Sequence, residues 1–211
     1  MTLNPQKNDK GVEKDGILTA YNGILSHDHD KKFYKYGDLH ATCGAHLLRN
    51  LKGLQESCKI EWADEFRKFY SELNDYKKST DVCSPKKLAE IERKYDEMLE
   101  IGKLELAKMK PKRFDTDEFR KMLKRLEDYK RAYLLFLRDY AAPFTNNQAE
   151  RDLRSLKTKQ KVSGCFRSYA GTSTFVRLKS YIFDHKTNAE ASARFYRCAL
   201  SKFLSFIGIA E

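Results

Sequence analysis

Apolar side chains recur at helical spacing through the middle of the chain, and this periodicity constrains the fold more than any other feature of the sequence. The helical period is predicted to begin at about Ala41, and a break near Cys58 divides the first stripe from the second. These stripes consist of Leu47, Leu48, Leu51, Leu54, Trp62, Phe66, Phe69, Tyr70 and Leu73. Residues 47–142 are therefore predicted to form a block of antiparallel helices joined by short loops.

Capping residues and prolines mark the later helices of this block. The pair Ser84-Pro85 combines an N-cap with a proline at the first helical position, so a helix is predicted over residues 85–109. Asp115 or Thr116 is predicted to cap the next helix, which continues through an apolar stripe as far as Leu137.

A short apolar run, GILSHD (Gly23–Asp28), predicts a buried strand that ends at an acidic residue. An Asp at a strand end can bind a hard divalent cation such as Mg²⁺, because this cation prefers oxygen ligands. The alternative is that Asp28 is a turn residue that caps the next segment. Together with the helical block, the strand indicates a mainly α chain with a small α/β part.

The stretch AAPFTNNQAERDLRSLK predicts the start of a further helix. Pro143 disfavours helix in the residue before it, and Thr145 or Asn146 can serve as the N-cap. Glu150 then falls in the first turn, where the helix dipole alone would also favour a carboxylate. Two more helices are predicted over residues 173–186 and 189–207.

The positive charge is concentrated towards the C-terminus. The 211 residues carry a net charge of +11, and residues 145–211 hold 12 basic side chains against five acidic ones. Residues 51–142 hold 22 basic and 19 acidic side chains, a balance typical of helices with i,i+4 ion pairs. The basic segment favours nucleic acid as a partner, and a solvated helical face is the alternative.

Composition excludes several classes of protein. No run of 18 apolar residues predicts a transmembrane helix, and the polar N-terminus has no apolar signal core. Five scattered cysteines indicate reduced thiols in a cytoplasmic protein. The sequence contains no P-loop, dinucleotide fingerprint or nucleophile elbow.

The run HATCGAH places His40, Cys43 and His46 near one face if it is helical. Zinc binding is conceivable, but a structural zinc site has four ligands and no second pair stands at a suitable spacing. The alternative is a thiol and imidazoles that pack and form hydrogen bonds in the core.

Four segments resemble the transposases of the insertion-sequence-66 family. They are GILSHDH, HATCGAHLLRNLKGL, PFTNNQAERDLRSLKTKQKVSGCFRS and FVRLKSYI. The resemblance extends from about Lys14 to Lys186, and the third segment is long and specific. It implies a D-D-E transposase that cleaves DNA and transfers strands, on an RNase H-like fold interrupted by an all-helical insertion.

This resemblance assigns roles to individual residues. Asp28 matches the second catalytic Asp and Glu150 the catalytic Glu, both as ligands of Mg²⁺ or Mn²⁺, with two ions in the intact family site. Cys43 and His46 match a structural Cys-x-x-His signature. Arg151, Arg154, Lys157 and Lys161 match basic positions beside the catalytic helix. The basic segment itself adds Lys159 and Arg167 to the expected DNA-binding positions.

The family layout also implies the domain organisation and the partners. Residues 1–46 correspond to a partial RNase H-like segment, residues 47–142 to the helical insertion and residues 143–211 to the rest of the RNase H-like domain. The expected partners are double-stranded DNA, as transposon ends and target, and further copies of the chain on DNA. The expected location is the bacterial cytoplasm, associated with the nucleoid, without a membrane.

The sequence departs from the family pattern in several places. Asp30, Gly44 and Asn50 stand where the family commonly has Trp, Asn and Glu. The family's first catalytic Asp has no match, since Asp9 and Asp15 do not lie in an apolar strand. We therefore expect an incomplete RNase H-like fold in an N-terminally truncated, inactive fragment that binds no metal tightly.

Three functions follow from these observations. The first is a transposase, here as an inactive fragment, and the second is a non-catalytic DNA-binding or regulatory protein derived from one. The third is a helical interaction module, which the charge-balanced middle supports and the basic C-terminal segment disfavours.

Overall fold

The structure is a computed structural model of the 211-residue chain. It describes Glu13, Gly16 and residues 18–109, 114–162, 164 and 168–185. The chain divides into two compact units, one of residues 16–147 and one of residues 1–15 and 148–211. The helix predicted over residues 189–207 lies outside the described residues.

Two short parallel strands form a sheet in the first unit. Strand β1 (Ile24–His27) pairs with strand β2 (Leu39–Thr42), with Ile24 opposite Leu39 and His27 opposite Thr42. The connection contains a 3-10 helix (Lys31–Lys35). A strand is present within the predicted Gly23–Asp28, although only His27 of it is buried and the others are half-buried. The chain is mainly helical, as expected, with a small two-stranded parallel sheet.

The prediction that helix begins at about Ala41 is wrong. Ala41 belongs to β2 and is buried there, and the helix starts only at Gly44. His40 therefore lies on a strand and His46 on a helix, so HATCGAH does not form one helical face. The strand has four residues and is separated from the helix by Cys43 alone, so the sequence has no loop that would separate the strand from the helical period.

The described helices follow in chain order. They are α1 (Gly44–Cys58), α2 (Glu61–Ser79), α3 (Pro85–Lys108), α4 (Phe114–Asp128), α5 (Lys130–Tyr133), α6 (Leu135–Arg138), α7 (Asn147–Val162) and α8 (Tyr169–His185). None of the helices in the described part of the chain is long and apolar enough to cross a membrane.

Some helix boundaries agree with the sequence and others do not. The predicted break near Cys58 is present, and Ser84 caps α3 by accepting a hydrogen bond from the Lys87 N–H at 3.2 Å. Helix α4 begins at Phe114, before both predicted caps, and Thr116 is buried inside it. Helix α8 begins at Tyr169 rather than at residue 173.

The helix predicted to continue to Leu137 is broken into α4, α5 and α6, and two buried tyrosines form hydrogen bonds at the breaks. The hydroxyl of Tyr95 donates to the Leu126 carbonyl at 3.0 Å, and that of Tyr70 donates to the Tyr133 carbonyl at 2.8 Å. These carbonyls have side-chain partners near the ends of helical segments, where an intrahelical partner is missing.

The apolar faces of α1 to α4 meet in one core. Trp62, Phe66, Tyr95, Phe119 and Leu126 are almost fully buried within it. At about 25 cal/mol per Å² of apolar area, burial of such large side chains provides the main stabilisation of the unit. The sequence periodicity predicted this core correctly, because most of its members are the residues of the helical stripes.

Candidate functional site

Asp28 is the first residue after β1, and it is exposed. A hydrogen bond joins the two strands directly before Asp28, since the Cys43 N–H donates to the His27 carbonyl at 2.9 Å. The chain turns at once, because His29 has a left-handed backbone with φ of 71°, and its N–H donates to Nδ1 of His27 at 3.1 Å. The carboxyl end of β1 therefore presents the Asp28 carboxylate to solvent.

The two histidines beside Asp28 are neutral at pH 7. Burial, and to a lesser extent the nearby His40, lower the pKa of His27 to about 4. Burial and the guanidinium of Arg125 lower the pKa of His29 to about 4, and its Nδ1 lies 3.0 Å from the Tyr34 hydroxyl. Neither imidazole therefore supplies a positive charge beside the Asp28 carboxylate.

Cys43 connects the end of β2 to the segment that precedes α7. It is buried, and its Sγ accepts a hydrogen bond from the Asn146 N–H at 3.2 Å. The next residue, Gly44, donates its N–H to the Phe144 carbonyl at 2.8 Å. His46 lies in the first turn of α1 and is half-buried. Two contacts thus fasten residues 144–146 to the junction of β2 and α1.

Gly44 is required by the close approach of Phe144. A Cβ atom at position 44 would overlap the Phe144 ring, because three ring carbons lie within 2.7 Å of its place. The Asn that the family commonly has here would not fit without movement of that ring. The departure at Gly44 is therefore explained by packing in this chain.

Helix α7 carries Glu150 in its first turn and a row of exposed cations after it. The exposed basic residues are Arg151, Arg154, Lys157, Lys159 and Lys161. Arg167, the remaining predicted DNA contact, lies outside the described residues. Asp28 belongs to the unit of residues 16–147 and Glu150 to the other unit.

Asp28 supplies the kind of oxygen that a divalent cation prefers. However, no group of three or more His, Cys, Asp or Glu side chains is gathered for a metal ion among the residues that the structure describes. The described residues thus provide one suitable carboxylate but do not by themselves form a complete cation site.

One set of basic residues in the structure was not among the predicted DNA-binding positions. Arg49 on α1 and Lys121, Lys124 and Arg125 on α4 line a common groove. They were missed because the helical block is nearly balanced in charge as a whole. The local signal is the run KMLKR (121–125), which holds three cations and no acid.

Comparison with known protein families gives a match over most of the chain. The sequence model described as Transposase IS66 family matches residues 3–174 of the chain. Neither a curated protein nor a solved structure matches the chain. The matched range includes Asp28, Cys43, His46 and Glu150, together with every basic position predicted to contact DNA.

Proposed function

Because the chain belongs to the IS66 transposase family, we propose that it provides two catalytic carboxylates and a DNA-binding surface for DNA cleavage and strand transfer. The exposed position of Asp28 at the carboxyl end of β1 carries this proposal. A catalytic carboxylate has to reach a cation and a phosphodiester, and exposure at a strand end allows both.

Glu150 is proposed as the second carboxylate, from its match to the family's catalytic Glu. Helix α7 would then combine two tasks, since Glu150 lies in its first turn and five exposed cations follow. Arg151, Arg154 and Lys157 would hold the phosphate backbone through charge-assisted contacts. Arg167 is included in this proposal by its position in the matching segment.

Cys43 and His46 are proposed to position the site without touching the reacting atoms. The hydrogen bond from Asn146 to Cys43 supports this role, because it holds the residue directly before α7. The proposed RNase H-like domain consists of residues 1–46 and 143–211, with residues 47–142 inserted. The parallel β1–β2 pair and the helical block are consistent with that layout.

Mg²⁺ or Mn²⁺ is the proposed cofactor, with two ions in the intact family site. In two-metal sites the ions align a water or 3′-hydroxyl for in-line attack on a phosphodiester. Asp28 and Glu150 are the residues of this chain that would hold such ions. A homo-oligomer on DNA and a bacterial cytoplasmic location stay predictions.

The role of Asp28 is tested by the effect of Mg²⁺ on DNA binding. Fluorescence anisotropy of a labelled transposon-end duplex would be measured with and without Mg²⁺ for the whole chain and for Asp28→Asn. We expect Mg²⁺ to tighten binding of the wild type and not of the variant. Asp38→Asn is the matched control, because Asp38 is exposed just before β2, at the opposite end of the sheet.

Equal responses of Asp28→Asn and Asp38→Asn to Mg²⁺ would overturn the assignment of Asp28. DNA binding that does not weaken steeply with added salt would overturn the DNA-binding role as a whole, because phosphate contacts release counterions.

A non-catalytic DNA-binding or regulatory protein is the second candidate. The exposed cations of α7 favour it, because they would bind DNA whether or not the carboxylate set is complete. A joining assay with a pre-cleaved transposon end separates the two. The sequence predicts no joining by the chain alone, and joining that is lost in Asp28→Asn and Glu150→Gln would show a competent enzyme instead.

A further inference from the structure

We propose that a basic groove between α1 and α4 binds the phosphodiester backbone of a DNA strand beside Asp28. The basic groove is the cavity of about 870 Å³ lined by Lys31, Arg49, Lys121, Lys124 and Arg125. It lies wholly within the unit of residues 16–147. The proposal rests on the proposed function, to which it adds a second DNA contact outside α7.

The groove begins next to the candidate catalytic carboxylate. His29 and Lys31, which line it, follow Asp28 within three residues. The attraction for an anion here comes from Lys31 and from the arginines and lysines of the two helices. A DNA strand bound in the groove would therefore pass close to the segment that carries Asp28.

The cations of the groove differ from many of those elsewhere on the helical block. Outside the groove, lysines are commonly neutralised, as Lys103 is by Glu100 and Glu127 at 2.8 Å and Lys130 by Asp96 at 2.6 Å. Within the described part of the chain, none of the five groove cations forms an ion pair with an acidic side chain. Their charge remains available to a ligand.

Arg125 is the most constrained of these cations. It is half-buried, and its Nε atom is buried without a hydrogen-bond partner among the described residues. One terminal nitrogen lies 3.0 Å from the Met122 sulfur, a weak acceptor. A buried donor without a partner is costly, and a phosphate oxygen could accept from the Arg125 guanidinium.

The residues that line the groove suit a DNA strand better than a single small anion. Its cations come from three separate segments, and two carboxylates, Glu118 and Asp128, also line it. Spaced cations can each meet a different phosphate along a backbone, whereas a lone phosphate would need them to converge. The half-buried ring of Tyr129 adds a surface on which a base can stack.

Binding of a 3′-tailed duplex by the whole chain tests the groove. The groove variant is Lys121→Gln/Lys124→Gln, and the control is Lys86→Gln/Lys108→Gln, which removes two exposed lysines of α3 that do not line the groove. We expect the groove variant to bind DNA several-fold more weakly and to reduce the slope of log binding constant against log salt concentration by about two. The control variant should reduce that slope by less than one. Circular dichroism would show that both variants are folded.

Gly53 provides a second test that removes no cation. It lines the groove, and a Cβ there would meet nothing within 4 Å. Gly53→Glu and Gly53→Gln fill the same space, but only the first adds a negative charge. We expect Gly53→Glu to weaken DNA binding by a larger factor than Gly53→Gln.

The outcomes separate this inference from the proposed function. A wild type that does not bind DNA in a salt-dependent manner overturns both. A second outcome is that Arg151→Gln/Arg154→Gln weakens binding while the groove variant and the control variant weaken it to the same extent. That outcome overturns only the proposal about the groove. Displacement of the DNA tail by millimolar inorganic phosphate or nucleotide would show a free-anion pocket instead, and would also overturn it.

Discussion

The backbone N–H of Asn146 donates a hydrogen bond to the Sγ of Cys43, with 3.2 Å between nitrogen and sulfur and 103 residues between them in sequence. This bond holds the residue before α7 against the carboxyl end of the small sheet. Cys43 is buried, so its thiol also fills space in the core. The Cys43 side chain thus both accepts a hydrogen bond and packs in the core.

Cys43→Ala is expected to lower the free energy of unfolding by about 1–3 kcal/mol, from the lost volume and the orphaned N–H of Asn146. Urea denaturation of the purified chain would measure it. Cys58→Ala is the control, because Cys58 is only half-buried at the end of α1. An equal loss from both variants would contradict a special role for Cys43.

Gly44→Ala is expected to destabilise the unit by about 1–3 kcal/mol, because the added Cβ overlaps the ring of Phe144. Gly53→Ala is the matched control on the same helix. It has open space around it and should stabilise α1 by up to about 1 kcal/mol, since alanine favours helix over glycine. The two variants should therefore move the thermal midpoint in opposite directions.

Glu105→Ala is expected to lower the free energy of unfolding by about 0.5–2 kcal/mol. Its carboxylate accepts hydrogen bonds from the N–H groups of Glu61 and Trp62, at 3.2 and 3.1 Å, and so caps α2 from α3. Ile60, at the N-cap position itself, supplies no side-chain bond. Glu97→Ala, which loses only an exposed pair with Arg93, should change stability by less than half as much.

Stability is expected to fall as the pH decreases from about 6.5 to about 4. The pKa of His27 is about 4 in the fold and near 6.5 when unfolded, so over this range the unfolded chain binds more protons. His40 adds to this shift, and the Asp28 and Asp30 carboxylates oppose it. His27→Asn keeps an acceptor for the His29 N–H but does not titrate.

Urea midpoints measured between pH 4 and pH 8 would check this expectation. The wild type should be most stable above about pH 6.5, and the His27→Asn variant should show a shallower slope below it. A slope unchanged in the variant would mean that other groups cause the acid sensitivity.

The sequence predicted those elements whose signals are local. Ser84 and Pro85 mark the start of α3 because a cap and a proline act on their own helix turn. Strand β2 was missed because Leu39–Thr42 becomes a strand only by pairing with β1. The cap of α2 was not predictable either, since Glu105 lies 43 residues from Trp62.

The candidate site shows the same division. Asp28 could be found because it follows its strand directly in sequence. The groove cations could not, because Arg49 and Arg125 become neighbours only when α1 packs against α4. The net charge of residues 51–142 combines the groove cations of α4 with neighbouring lysines that are paired with acidic side chains. The local excess of positive charge in the groove is therefore not visible in that sum.

Trp62 is the one tryptophan of the chain, and it is 1% exposed, with its indole N–H donating to the Met98 carbonyl and its ring between Phe66 and Phe119. All indole fluorescence therefore originates from the point where α2, α3 and α4 meet. Emission at short wavelength reports an intact helical block, and a red shift reports water reaching it. The protein carries its own optical probe, placed where DNA added to the solution would not quench it by direct stacking.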